Sequence, residues 1–80
     1  MRTFKAWVKK FRGEDSPLGD LADDIAADKK FPYSTSYHSM RSHLKTSGAC
    51  FEALQTFDEA YRRYWSDMLI EEMGSDGEVA

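Results

Sequence analysis

Two histidines and one cysteine are the residues of this chain best suited to hold a metal or attack a substrate. His38, His43 and Cys50 are separated by five and seven residues. Structural zinc sites use more closely spaced ligands, and two side chains five apart do not share a helical face, so the trio lacks metal-site spacing. Cys50 stands between Ala49 and Phe51 at a predicted helix start. A thiolate nucleophile needs a base and an electropositive setting. The sequence places no histidine beside it, so Cys50 is expected to be buried as a small apolar residue. Gly13 and Gly19 are six apart and lack the lysine and hydroxyl of a phosphate-binding loop. Fourteen carboxylates single out no catalytic pair, and eighty residues leave little room for a deep pocket. The expectation is a protein that is not an enzyme and uses no metal or cofactor.

Charge and aromatic groups at the surface are the better lead. Lys5, Lys9 and Arg12 fall on one helical face with Lys10 beside it, Lys29 and Lys30 form a second cluster, and Arg62 and Arg63 a third. Such groups suit phosphates or an acidic partner. Tyr33, Tyr37 and His38 set amphipathic rings near a loop, as binding surfaces do. The net charge of −3 conceals two acidic blocks, Glu14 to Asp28 and Asp67 to Ala80, each without a basic residue. A dedicated nucleic-acid binder has a basic surplus. The first expectation is therefore contact with protein, by a monomer or weak homo-oligomer. Nucleic-acid binding through the basic clusters is the alternative.

The elements that must position these groups all read as helix. Thr3 caps a first helix whose Phe4, Trp7, Val8 and Phe11 share a face. "RGEDSP" (12–17) breaks it, and Ser16 with Pro17 starts a second helix carrying Leu18, Leu21, Ala22, Ile25 and Ala26. Phe31-Pro32 stops that one. Tyr37, Met40 and Leu44 define a third helix, with Gly48 as its left-handed terminator. Thr56 and Glu59 have capping-box spacing. A brief fourth helix over 49–55 and a longer fifth from Phe57 are expected, the fifth with Ala60, Tyr61, Tyr64, Trp65 and Met68 on its apolar face. The predicted core is Phe4, Trp7, Phe11, Leu21, Ile25, Leu44, Phe57 and Tyr61. Residues 1–73 should make one domain and 74–80 a disordered acidic tail. The single cysteine cannot form an intramolecular disulfide, and there is no secretory signal or long apolar run, which favours a cytoplasmic protein off the membrane.

Several of these segments together resemble a bacterial family, the YozE-like proteins. The matching pieces are "TFKAWV" (3–8), "LADDI" (21–25), "DKKFP" (28–32), "STSYHSMRSHL" (34–44) and "TFDEAYRRY" (56–64), in the family's order. The chain departs from the family pattern at Ser36, where an acid is usual, at His43, commonly aromatic, and at Tyr61, commonly tryptophan. The resemblance implies a compact sterile-alpha-motif-like (SAM-like) bundle, here of four short helices and a longer C-terminal one. It carries no catalytic residues onto this chain.

Overall fold

The computed structural model describes residues 2–79, with side chains through 72. The described residues contain α1 (Phe4–Val8), a 3-10 turn over Lys9–Phe11, α2 (Pro17–Ala27), α3 (Tyr37–Thr46) and α4 (Phe51–Val79). The architecture is all-α, with short elements leading to one long helix. The tail expected over 74–80 falls where side chains lie outside the described residues.

Local chemistry explains most of the boundaries. Thr3 Oγ1 accepts from the Ala6 amide and opens α1. Ser16 Oγ accepts from the Gly19 amide and Pro17 follows at the first helical position of α2. Position 19 must stay small, since a Cβ there would meet the Glu14 carbonyl oxygen at 1.9 Å. At the end of α3, Gly48 has φ +88°. Its amide donates to the Lys45 carbonyl and that of Ala49 to the Leu44 carbonyl, the paired bonds of a Schellman motif.

Two boundaries differ from expectation. The second helix ends at Ala27, ahead of Phe31-Pro32, because Asp28 turns extended there (φ −86°, ψ 101°). Its carboxylate accepts from the Lys30 amide and its carbonyl from the Phe31 amide. More important, the predicted fourth and fifth helices are one. Thr56 caps nothing: its hydroxyl donates one turn back to the Glu52 carbonyl at 2.9 Å, a bond made inside a continuous helix. Leu54, Phe57, Ala60, Tyr64 and Met68 keep a single helical phase through that point, with no glycine or proline to interrupt it.

The short elements pack on α4 around Phe4. Its ring centroid lies 5.1 Å from that of Phe57 and 5.4 Å from that of Tyr64, both edge-on, a favoured geometry for aromatic pairs. Phe4, Trp7, Leu21, Ile25, Leu44 and Phe57 are buried as predicted. Phe11 and Tyr61 are half-buried at the margin of the core. The turn at Lys9–Phe11 winds at three residues per turn and moves Phe11 off the apolar face of α1. Phe31 and Tyr64 are core residues absent from the predicted set. Tyr64 also ties the N-terminus down, donating its hydroxyl to the Arg2 carbonyl. Trp65, expected on the apolar face of the last helix, is 39% exposed.

Candidate functional site

The basic stripe expected on the first helix does not form as a unit. Lys5 is 3% exposed: its Nζ donates to the Asp28 carbonyl at 2.8 Å and sits 4.7 Å from the centre of the Tyr33 ring. Its charge is spent inside the fold, holding α1 to the end of α2. Lys9 and Arg12 are exposed. Lys10 reaches Asp67 Oδ2 at 3.2 Å. The structure brings Lys10 and Arg63 together, one 5.3 Å and the other 4.9 Å from the Phe11 ring centre. Arg62 is exposed on a different side of α4. Tyr33 and His38 are exposed, whereas Tyr37 Oη donates to Asp58 Oδ1 at 2.7 Å. That bond, above all, raises the Tyr37 hydroxyl's pKa. Arg41 Nε meets the same oxygen at 3.1 Å, locking α3 to α4.

One arrangement looks like hydrolase machinery at first sight. His43 Nε2 lies 2.7 Å from Asp28 Oδ2, and Ser47 Oγ lies 3.4 Å from His43. In a Ser-His-Asp triad, however, the carboxylate holds one ring nitrogen and the hydroxyl uses the other. Here both contact Nε2, so no proton path runs from the serine through the ring. Asp28 is better read as a junction of α1, α2 and α3. The bond from His43 is the main reason its carboxyl titrates below the ordinary carboxylate value, followed by the bond from the Lys30 amide. Among the described residues no group of three or more His, Cys, Asp or Glu side chains converges as a metal site would require.

A groove of about 450 Å³ runs beside this junction, between α2, α3 and the start of α4. Its floor includes Leu21, Ile25, Phe31 and Leu44, all nearly covered by their neighbours. Cys50 lies on its rim and is exposed, contrary to the expected burial. It precedes α4, outside the packed face that begins at Leu54. Little apolar surface is left in the groove for a ligand to cover.

The far half of α4 is different. At about 1.5 Å per residue, 29 residues make a rod of roughly 43 Å. The whole chain measures 46 × 26 × 21 Å, so α4 spans its long axis. The bundle covers α4 as far as Met68, which is 2% exposed. Beyond it Leu69 and Ile70 are 47% and 66% exposed, with Trp65 just before them. Trp65 keeps one edge-on contact, to Tyr61 at 6.2 Å. Sequence reasoning missed this surface because it placed Trp65 on the same apolar face of the last helix as Tyr64 and Met68; the signal was there, since Trp65 and Leu69 are four apart on a flank that turns away from Leu54, Phe57, Ala60, Tyr64 and Met68.

The long terminal helix, with short capped helices laid across its first half, places the chain among SAM-like helical bundles. The profile of the family described as "YozE SAM-like fold" matches residues 3–66, and the chain belongs to that family. It is 32% identical over 72 residues to UPF0346 protein YozE of Bacillus subtilis, covering 85% of this chain and 96% of that one. A UPF0346 protein of Bacillus velezensis is 30% identical over 71 residues, with the same coverage. A third, from Bacillus licheniformis, is 31% identical over 70 residues, 84% of this chain and 96% of its own. No solved structure matches the chain. No helix among the described residues is long and apolar enough to cross a membrane.

Proposed function

We propose that this chain is a non-enzymatic cytoplasmic domain that works by contacting protein, and that the contact is made with the distal half of α4. The observation that carries this reading is the exposure of Trp65, Leu69 and Ile70 on the side of α4 that faces away from the bundle. Large apolar and aromatic groups at the surface of a small domain favour a protein partner, and tryptophan is a frequent energetic anchor. The basic groups support it from the other side. Lys5, Lys10, Arg2 and Arg41 are engaged within the fold. That leaves scattered cations on a chain of net charge −3, a poor match for phosphates.

A photo-crosslinking side chain at position 69, tested in the producing cell, distinguishes the readings. The expected result is protein adducts that survive nuclease and are missing when the same group is placed at the exposed position of Asp23 in α2. Adducts removed by nuclease, together with DNA binding that falls steeply with salt and is lost on replacing Lys9, Arg12 and Arg63 with Glu, would install the nucleic-acid reading instead.

A further inference from the structure

The exposed flank of α4 has a symmetry that bears on what it pairs with. Arg62, Trp65, Leu69 and Glu72 follow one another at spacings of three, four and three, so they form a single stripe along the helix. All four are exposed. Among the described residues neither Arg62 nor Glu72 makes an ion pair, although four such pairs form elsewhere. The stripe is apolar in the middle, with one positive and one negative end.

Turned end for end about Asp67, the stripe meets its own complement. Position 62 falls opposite 72, and 65 opposite 69. A twofold interface requires this reciprocity, in which residue i contacts residue j and j contacts i. We infer that the distal half of α4 pairs antiparallel with the same segment of a second copy of this chain, Trp65 of each against Leu69 of the other and Arg62 of each against Glu72 of the other.

This inference rests on the reading of α4 as a protein-contact surface and adds the partner's identity. A parallel pairing would set Arg62 against Arg62 and Glu72 against Glu72, so charge selects the antiparallel arrangement. An unrelated partner would have no reason to find opposite charges at equal distances from the centre of the stripe. The paired segment covers about three helical turns, a small interface. The association should therefore be weak and visible only as concentration rises.

Sedimentation equilibrium over about 10 µM to 1 mM tests the inference. The expected result is an average mass rising from that of one 9.2 kDa chain toward twice that value. Arg62→Glu alone, or Glu72→Arg alone, should weaken association at least about tenfold, because each creates two like-charge contacts per dimer. The double variant Arg62→Glu/Glu72→Arg should restore it. Trp65→Ser should abolish it, and since these positions are exposed, an unchanged helical circular-dichroism spectrum confirms that each variant is folded. A wild-type chain that stays monomeric throughout, or a double variant no better than the singles, overturns the self-pairing. Crosslinks from position 69 to other proteins would then persist if α4 is a contact surface for a different partner, and vanish if that reading fails too.

Discussion

Phe57 and Leu69 lie on the same helix, twelve residues apart, and meet opposite fates. Phe57 is completely buried, packed at 5.1 Å against Phe4 and stacked at 5.7 Å on Tyr37. Leu69 is 47% exposed. Local composition does not separate them, since both sit in uninterrupted helix among apolar neighbours. The difference is helical phase: twelve residues make about three and a third turns, so Phe57 faces α1 and α3 along with Leu54, Ala60, Tyr64 and Met68, while Leu69 faces away from them. Apolar residues on two sides of one helix therefore make two surfaces that seek cover, and the short helices cover one of them.

The contrast is broken or sharpened most by truncating both sides of it. Phe57→Ala should cost about 3–5 kcal/mol, enough to unfold a domain of this size, whereas Leu69→Ala should stay within about 0.5 kcal/mol at a concentration where the chain is monomeric. Urea denaturation followed by circular dichroism measures both. Similar losses would mean that the distal segment is packed like the proximal one.

Acid should loosen the bundle side. The Trp7 indole N–H donates to Asp67 Oδ2 at 2.8 Å and is the main reason that this carboxyl titrates below its ordinary value, with Lys10 adding to it. Asp28 is lowered as well, chiefly by His43. A carboxyl whose pKa is depressed by folding stabilises the native state above its unfolded pKa of about 3.9, and that stabilisation is lost as pH falls through the lower folded value. Thermal stability should thus decline below about pH 4, and Asp67→Asn should flatten the decline. A variant as acid-sensitive as the wild type would remove Asp67 from the account.

The smallest effect is expected at Thr56. A capping role would make Thr56→Ala cost about 1 kcal/mol. Inside a continuous α4 the change should instead lie within about 0.5 kcal/mol of zero, alanine's helix propensity offsetting the lost back-bond and contacts. A loss near 1 kcal/mol in thermal unfolding would restore a helix boundary at Thr56 and separate the start of α4 from the rest.

Where the sequence was readable, the cause was local. Thr3, Ser16-Pro17 and Gly48 act through bonds to residues three to five positions away, and such spacing is visible in a one-dimensional text. Thr56-Glu59 had the right spacing and the wrong outcome, because a threonine hydroxyl can bond backward within a helix as readily as forward across its start. The charged groups were harder to place. Lys5 looked like one more surface cation, and only its distant neighbours Asp28 and Tyr33 reveal it as internal. Asp28 with His43, and Trp7 with Asp67, are likewise pairings across long stretches of sequence. Trp65 was placed on the correct helix, but it lies off the buried face that its neighbours Tyr64 and Met68 share, and how wide a face α1 and α3 cover is set by packing that the sequence does not display.

The seat of Lys5 has a chemical consequence of its own. An acylating reagent needs an amine with open solvent around it, a condition the exposed Lys9, Lys29 and Lys30 meet at every moment. The Lys5 amine meets it only after its hydrogen bond to Asp28 breaks and α1 lifts from the turn beneath. Lys5 is consequently the slow amine of this chain, and the pace of its modification reports how often α1, with Phe4 and Trp7, comes away from the bundle.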